Sequence, residues 1–421
     1  MRRKICVWAL VAALAAPGAF AQKALDWEQV KLRFESTNPT LRAGQVGVNE
    51  ARAMEITAYL RPNPDLTLST DGTQLTPYQG VYQPFTGTQL SPGVSYLHER
   101  DHKRELRLDS ARKNTSVAES QLEDQERNLL FNLRTAFVAT LQQKSVLALA
   151  NENLSYYDRL LSVSDDRYKA GDIAQVDLDR LQLQRVQFET DQQTALVSLR
   201  TAKIQLQQLL DDRTPVEQFD VAGPFEFTEP ALSLEDLRRT ALANRPDLKA
   251  AIQAVEKAKT DHQLAVANGS TDPTLSLWWT HNPSFNNPND FNTIGGSISI
   301  PLRIFDRNQG EKARTQMDIE RNERLREAAE AQVYSDVDSA FAVWNSNAAL
   351  LRSYKSKYLA QATRVRDTVS FAYQHGGASL LDFLNAQSDY RSVQLNYLNL
   401  VAAYLTAASQ LNMAVGVEIV Q

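Results

Sequence analysis

Apolar residues recur at alternating steps of three and four in two long stretches of this chain, from Leu178 to Leu209 and from Phe383 to Ala414. This spacing lays one apolar stripe along a helix and is typical of a coiled-coil seam. Helix-forming sequence also fills 103–168 and 309–375. At a rise of about 1.5 Å per residue, each of these would span roughly 100 Å, too long for a compact domain. The pattern therefore predicts an elongated, mainly α fold.

A second pattern, with a period of two residues, interrupts the helices. From Ile294 to Leu302, apolar residues alternate with Gly, Ser and Pro, as in membrane β-barrel strands that face lipid on one side and a polar lumen on the other. A half-buried hairpin of a soluble protein would show the same alternation, so that alternative stays open for either hairpin alone. The predicted strands lie near 65–70, 92–97, 274–279 and 294–302.

Aromatic residues cluster near the ends of both predicted hairpins, as in the girdles at the two interfaces of a membrane barrel. The candidate girdle residues are Tyr82, Tyr96, Trp278 and Trp279. Four strands cannot close a barrel, because the smallest transmembrane barrels have about eight and an open edge in lipid leaves backbone groups unpaired. We therefore expect an oligomer embedded in outer-membrane lipid, in which a dimer would supply about eight strands and a trimer about twelve.

The two halves of the chain resemble each other. Tyr168 to Gln182 matches Tyr373 to Gln387 at an offset of 205 residues, whereas Leu133-x-x-Ala136-Phe137 matches Val337-x-x-Ala340-Phe341 at an offset of 204. The sequence thus predicts two copies of a unit made of a helix, a hairpin, a long helix, a tight turn and a returning helix. The first repeat covers 22–212, with helices at 25–60, 103–168 and 174–210. A linker or equatorial segment covers 213–233. The second repeat covers 234–421, with helices at 234–268, 309–375 and 379–415.

The first 21 residues, 1–21, have the features of a secretory signal peptide. Arg2, Arg3 and Lys4 precede an apolar stretch, and small residues precede the predicted cleavage point. The cleavage signal comprises Ala19, Ala21 and Gln22. The single cysteine, Cys6, lies inside this segment, so the exported protein is expected to have no disulfide and no thiolate metal site.

Composition narrows the class of protein further. Of 421 residues, 43% are hydrophobic, which is too apolar for a disordered chain. The mean hydropathy is -0.39, and no uncharged apolar run of about 18 residues follows the signal peptide, so no transmembrane helix is expected. The net charge is -5 without a basic cluster, which argues against nucleic acid as a partner.

The turns between the paired helices have a mechanical interpretation. Gly171 and Gly376 can adopt the left-handed conformation that ends a helix. Ser379, with Asp382 three residues later, resembles a capping box that opens the next helix. Each long helix is therefore predicted to reverse sharply and return.

One motif suggests metal chemistry. His98-Glu99-Arg100-Asp101-His102 matches the H-E-x-x-H pattern of zinc proteases, in which two histidines on one helix face hold zinc. Here the motif directly follows a predicted strand, and no third ligand stands out among His262, His281 and His375. The sequence predicts no enzyme, cofactor or resident metal.

The signature Tyr-x-x-Gly-x-x-Ser-x-x-Asp-x-x-x-Ala-Gln, from Tyr373 to Gln387, resembles that of the TolC-type outer membrane efflux proteins. The doubled order of elements extends the resemblance over nearly all of the exported chain. The helical turn at Gly171, the first tip of the repeat, is a looser match than the second tip at Gly376, because Ala174 stands where the motif prefers Ser or Thr. The resemblance implies a homotrimer with a 12-stranded β-barrel, in the outer membrane of a Gram-negative-type bacterium, and a coiled-coil helical barrel that extends into the periplasm.

The resemblance also implies partners. The helical tips would dock on a periplasmic membrane-fusion adaptor, which joins the channel to an inner-membrane pump of the RND or ABC type. The candidate docking residues in the tip turns are Gly171, Asp172, Gly376, Gly377 and Ser379.

In this family, links between tip turns hold the resting channel shut. By resemblance, Tyr373 and Asp177 fall on positions that make such a link, and Asp382 falls on an acidic ring that lines the constriction. Asn385 stands where a second acidic ring would be, and Ala378 stands at the position of a latching arginine. These departures imply a weaker latch and a less negative aperture. Tyr373 as a packing aromatic and Asp382 as a helix cap remain alternatives.

Two functions follow, from different classes. The first is a passive trans-periplasmic export duct of a tripartite efflux or type I secretion system, gated at its helical tips. The second is a soluble periplasmic coiled-coil scaffold or adaptor. The run from Leu60 to Leu66 resembles the outer components of heavy-metal efflux systems, but the sequence leaves open whether a drug, a metal ion or a protein is exported.

Overall fold

The computed structural model describes residues 24–282 and 291–420, so the predicted cleavage residues Ala19, Ala21 and Gln22 lie outside the described part. The described chain is mostly helical with one four-stranded antiparallel sheet, which confirms the mainly α prediction. The helices are α1 (Trp27–Thr37), α2 (Pro39–Tyr59), α3 (Lys103–Lys169), α4 (Gln175–Leu209), α5 (Leu234–Asn244), α6 (Pro246–Ala267), α7 (Gln309–Ser353), α8 (Leu359–Gln374) and α9 (Leu380–Val415). The strands are β1 (Asp65–Asp71), β2 (Gln89–Leu97), β3 (Thr274–His281) and β4 (Asn292–Ser299). No helix in the described part of the chain is both long and apolar enough to cross a membrane.

The chain packs as two compact units, and each unit takes segments from both halves of the sequence. The first consists of the described residues up to Thr37, Thr135–Glu226 and Lys357–Ala402. The second consists of Asn38–Arg134, Phe227–Ser356 and the described residues from Ala403 onward. A cut between the two sequence halves would therefore pass through both cores.

In the first unit, the predicted linker pairs with the residues just before α1. Leu25 forms a parallel bridge with Val221 and donates its N–H to the Asp220 carbonyl at 3.0 Å. The Asp220 carboxylate accepts a hydrogen bond from Lys144 at 2.8 Å, and Lys203 Nζ lies 3.1 Å from its other oxygen. Burial alone would raise the pKa of Asp220, but the hydrogen bonds from the two lysines outweigh it and lower that pKa. This part of the linker belongs to the core of the unit.

Two helices that the sequence predicts as continuous are broken in front of a proline. Helix 25–60 is split at Asn38, and helix 234–268 is split at Arg245. Both residues are extended, with ψ of 119° and 122°, because the ring of a following proline disfavours the helical conformation. Proline then occupies the first position of the next helix, where its missing N–H costs nothing. The prediction of unbroken helices at these two positions is wrong.

The predicted helix 309–375 contains a π-helical turn. This π segment, Tyr354–Tyr358, separates α7 from α8, whereas α3 runs unbroken. A π turn closes i→i+5 hydrogen bonds and so holds more residues than an α turn. The offset between the halves rises from 204 at Phe341 to 205 at Tyr373. The extra residue of the second half therefore falls in the interval that contains the π segment.

In the second unit, a buried arginine joins the start of α6 to α7 and α9. The Arg245 side chain is 3% exposed. It donates to the Asp247 carboxylate at 2.5 and 3.0 Å, to Asp336 at 2.8 Å and to the Ala414 carbonyl at 3.3 Å. Gly416, which follows α9 closely, has φ +84°, a left-handed conformation that strains residues with a Cβ. This network fixes where three helices meet.

Candidate functional site: two glycine turns and a four-stranded sheet

The first turn, in the first unit, reverses the chain between α3 and α4. Gly171 has φ +84°, a conformation that strains residues with a Cβ. Its N–H donates to the Tyr168 carbonyl, and the Asp172 N–H donates to the Arg167 carbonyl, both at 2.9 Å. These bonds satisfy the last carbonyls of α3 in the manner of a Schellman motif. The following helix starts without a side-chain cap, because Ala174 occupies the N-cap position.

The second turn repeats this backbone geometry and adds a cap. Gly376 has φ +76°, and the Gly377 N–H donates to the Ala372 carbonyl at 2.7 Å. The Asp382 N–H donates to Ser379 Oγ at 3.1 Å, while Ser379 donates its N–H and hydroxyl to the Asp382 carboxylate at 3.3 and 2.6 Å. This is the capping box predicted from the sequence. Asp382 therefore has a structural role, whatever its role in an aperture.

The exposed face of α9 next to this turn carries two of the predicted aperture residues. Asp382 and Asn385 are both exposed and three residues apart, a spacing that places side chains on one helix face. The structure thus presents one carboxylate and one carboxamide side by side. Their predicted role in an aperture depends on a multi-chain assembly and remains a prediction.

An aromatic cluster packs between the two helical hairpins, α3–α4 and α8–α9. Its buried members are Tyr157, Leu160, Leu181, Phe188, Tyr373 and Phe383. Tyr373 stacks on Phe383 with ring centroids 5.0 Å apart, and Tyr157 lies 4.6 Å from Phe188. The Tyr157 hydroxyl donates to the Leu181 carbonyl at 3.1 Å. Tyr373 is only 7% exposed, so it is a packing aromatic in this structure.

The predicted link between Tyr373 and Asp177 is not made as a hydrogen bond among the described residues. The two interact through space: burial raises the pKa of Tyr373, and the Asp177 charge raises it further, whereas Arg167 lowers it. Arg167 donates to the Tyr373 carbonyl at 3.2 Å, and its guanidinium lies 5.6 Å from the ring centroid. Arg167 is not among the residues predicted from the sequence, although its place in the last turn of α3 favours contacts to carbonyls.

The sheet, in the second unit, has one apolar and one polar face. Directly paired residues lie on the same face of a sheet, and the register pairs Leu66 with Val94, Val94 with Leu277, and Leu275 with Ile298. The exposed apolar face, fixed by this register, comprises Leu66, Leu68, Leu90, Val94, Leu275, Leu277, Trp279, Ile294 and Ile298. The opposite face carries mainly Ser, Thr and Gly, so the predicted period-two pattern is present across the whole sheet.

The register places the candidate girdle residues on different faces of the sheet. Trp279 and Tyr96 lie on the apolar face, but Trp278 lies on the polar face. There its ring covers Gly295, where a Cβ would come within 2.5 Å of the indole. Tyr82 belongs to the loop between β1 and β2 rather than to a strand. β4 ends at Ser299, short of the predicted Leu302, because Pro301 has no N–H to continue the ladder.

Both edges of the sheet are open among the described residues. The strand order is β1-β2-β3-β4, so β1 and β4 each pair on one side only. An edge strand presents unpaired N–H and C=O groups that can pair with another chain. The exposed apolar face is thus bordered by two strand edges that are open to pairing.

The H-E-x-x-H motif has no zinc-site geometry. Asp101 and His102 have positive φ values of 56° and 55°, and α3 begins only after them, so the two histidines do not share a helix face. Glu99 forms an ion pair with Arg107. Within residues 24–282 and 291–420, no group of three or more His, Cys, Asp or Glu side chains could hold a metal ion.

The fold matches a solved channel structure. A structure of CusC, described in terms of transmembrane channel formation, aligns with a TM-score of 0.77, covering 93% of this chain and 92% of that chain at 18% identity. The helices and the sheet thus have the fold of that channel protein.

Sequence comparison identifies the family. The profile of the family described as Outer membrane efflux protein matches residues 33–211 and 237–417. The cobalt-zinc-cadmium resistance protein CzcC of Cupriavidus metallidurans is 23% identical over 377 residues, which cover 88% of this chain and 83% of that protein. The outer membrane protein TolC of Escherichia coli is 22% identical over 401 residues, covering 88% and 79%. The chain belongs to the outer membrane efflux protein family, whose members are transport channels and not enzymes.

Proposed function

We propose that this protein is the outer-membrane duct of a tripartite export system and works as a homotrimer. The observation that carries the proposal is the open-edged sheet with an exposed apolar face. In lipid an open edge is not tolerated, because its backbone groups find no partner. Three copies, joined β4 to β1, would close about twelve strands, and the apolar face would then meet the acyl chains. The helices would extend the duct into the periplasm.

The polar face of the sheet supports a water-filled interior. One row across three strands of this face consists of serines: Ser95, Ser276 and Ser297. Such polar residues are expected in a barrel lumen. A passive duct needs no catalytic group, which agrees with a family of channels. The two glycine turns are the proposed docking sites for a periplasmic adaptor, which would connect the duct to an RND or ABC pump in the inner membrane.

The cargo is proposed from similarity. CzcC is named for resistance to cobalt, zinc and cadmium, and the run from Leu60 to Leu66 resembles heavy-metal efflux components. We therefore place divalent transition-metal cations first among candidate cargoes. Growth of a deletion strain on graded cobalt, zinc and cadmium, compared with dyes and detergents, would test this order. A deletion strain that is sensitive to dyes and detergents but not to the metals would contradict a metal-ion cargo.

Cell fractionation separates the duct from the alternative of a soluble periplasmic scaffold. We expect the protein in the outer-membrane fraction, released only by detergent, and of trimer mass in native mass spectrometry. Recovery of a monomer from the periplasm without detergent would contradict the proposal and favour the scaffold.

The aperture role of Asp382 can be separated from its role as a cap. Asp382→Asn keeps an oxygen that accepts from Ser379 but removes the charge, so we expect cation selectivity in single-channel recordings to fall severalfold while folding is retained. Asn385→Asp is the matched variant, since it adds a carboxylate on the same exposed face, and should raise selectivity. If neither variant changes selectivity or block by trivalent cations, these residues do not line the constriction.

A further inference from the structure

The connections between the sheet and the helices are basic, although the chain as a whole is acidic. These connections, with the helix starts that follow them, are 60–64, 98–107, 268–273 and 300–314. Together they contain nine Arg and Lys residues and six Asp and Glu residues, a net charge of +3, whereas the whole chain has a net charge of -5. Positive charge is therefore concentrated at the helix end of the sheet.

The opposite end of the sheet carries almost no charge. The loop between β1 and β2, 72–88, contains no Asp, Glu, Lys or Arg, and the sequence between β3 and β4, 282–291, contains only Asp290. In the proposed duct the helices extend into the periplasm, so the helix end of the sheet lies at the periplasmic leaflet of the membrane. The basic residues would thus meet one leaflet only.

Most acidic residues at this basic end are already ion-paired. Of the six, only Asp101 and Asp306 belong to no ion pair in the described part of the chain, and the Asp306 carboxylate accepts the Asn308 N–H at 2.8 Å. Three exposed arginines likewise have no ion-pair partner among the described residues, and they lie on three different connections: Arg61, Arg100 and Arg307. The four ion pairs are Glu99–Arg107, Glu105–Arg104, Asp272–Lys103 and Glu311–Arg314.

Arg100 lies just beyond the apolar face of the sheet. Tyr96 pairs with Leu275, and Leu275 pairs with Ile298, so these three side chains form an apolar row at the helix end of that face. The Arg100 N–H donates to the Asp272 carboxylate at 2.9 Å, which holds the β2–α3 connection next to this row. Because β2 is paired with both β1 and β3, a second copy joined at β1 or β4 would leave the face of β2 uncovered.

We propose that Arg61, Arg100 and Arg307 form a basic belt that binds the phosphate groups of anionic phospholipids in the periplasmic leaflet. The inference rests on the proposed duct, because only a sheet embedded in the membrane brings these side chains to the lipid headgroups. A guanidinium donates two parallel hydrogen bonds to a phosphate group. Each arginine near an anionic membrane surface strengthens binding about fivefold. The acyl chains of the same lipid lie against the apolar row next to Arg100.

Native mass spectrometry of the full-length trimer tests the basic belt. The protein is exchanged into micelles that contain equal amounts of phosphatidylglycerol and phosphatidylcholine with the same acyl chains, and the retained lipids are counted. The parent should retain phosphatidylglycerol about fivefold over phosphatidylcholine, whereas Arg61→Gln/Arg100→Gln/Arg307→Gln should retain both about equally. Arg61→Lys/Arg100→Lys/Arg307→Lys keeps the positive charges and should keep most of the preference.

The matched control removes three exposed arginines from helices of the same unit: Arg239→Gln/Arg321→Gln/Arg324→Gln. Their side chains are 77%, 69% and 70% exposed, and Arg321 lies about 18 Å along α7 from its first residue. This variant loses the same charge as the glutamine variant of the belt, and it should keep the lipid preference of the parent. Added salt should weaken the preference of the parent, since salt screens exposed charges.

The outcomes separate the basic belt from the proposed function. An outer-membrane trimer without a preference for phosphatidylglycerol, or with the same preference after the belt arginines are replaced by glutamine, would overturn the belt and leave the duct standing. Equal loss in the belt and control variants would also overturn the belt, because it would show an effect of net charge alone. Displacement of phosphatidylglycerol by inorganic phosphate would identify a site for free phosphate instead of a lipid. A detergent-free periplasmic monomer would overturn both the belt and the duct.

Discussion

Leu277→Arg is expected to remove most of the outer-membrane trimer, whereas Ser276→Arg on the neighbouring residue should be tolerated. Leu277 lies on the exposed apolar face, where it pairs with Val94 and Gly296. An arginine facing the middle of the bilayer costs about 2–4 kcal/mol per chain, and a trimer would carry three. Ser276 faces the polar side, where a guanidinium would remain in water.

The measurement is the amount of heat-labile trimer in washed outer membranes, with export-dependent growth as a second readout. The two variants add the same side chain one position apart, so general effects of charge on synthesis or secretion are shared. Equal loss in both variants, or greater loss with Ser276→Arg, would show that the apolar face does not meet lipid.

Arg245→Met is expected to destabilise the protein by about 3 kcal/mol, at the lower end of the range for breaking a buried ion pair. The substitution leaves the Asp247 and Asp336 carboxylates and the Ala414 carbonyl without their shared donor. The loss is moderated because both carboxylates retain some exposure to water. The melting temperature of the purified protein, followed by helical circular dichroism, should fall by several degrees.

Arg239→Met on α5 is the control, because Arg239 and its partner Asp236 are both largely exposed. Exposed pairs contribute little, so the melting temperature of this variant should be close to that of the parent. A similar fall in both variants would show that the loss does not come from the buried network.

The same network predicts that part of the free energy of unfolding is lost at acid pH. Burial alone would raise the pKa of Asp247, but the hydrogen bonds and charge of Arg245 outweigh it and hold the pKa below its ordinary 3.8. A lowered folded-state pKa gives stability that is present above the unfolded-state value and is lost as pH falls through the folded-state value. Below about pH 4 the parent should therefore lose more stability than Arg245→Met, and a constant difference would contradict this.

The helical architecture was predictable because seam residues such as Leu181 and Phe383 repeat at a spacing that only a helix places on one side. The breaks at Asn38 and Arg245 were equally encoded by the prolines that follow them. The π segment was not predictable in position, since the one-residue change in offset fixes only an interval and no residue type marks a π turn.

The candidate site divides in the same way. Gly376, Ser379 and Asp382 are local in sequence, so their turn and cap could be predicted from spacing alone. The face occupied by Trp278 depends on strand register, and a shift of one residue exchanges the two faces. The contact of Arg167 with Tyr373 joins residues 206 positions apart, and a single sequence does not determine such a pairing.

The π segment affects the rotation of the second glycine turn about the helix axis. In an unbroken α-helix, one added residue would rotate everything beyond it by about 100°, and Tyr373 would turn away from the cluster that buries it. A π turn takes up an added residue within one loop of the ladder. The helix can therefore gain one residue at Tyr354–Tyr358 without rotating the turn at Gly376 about the helix axis.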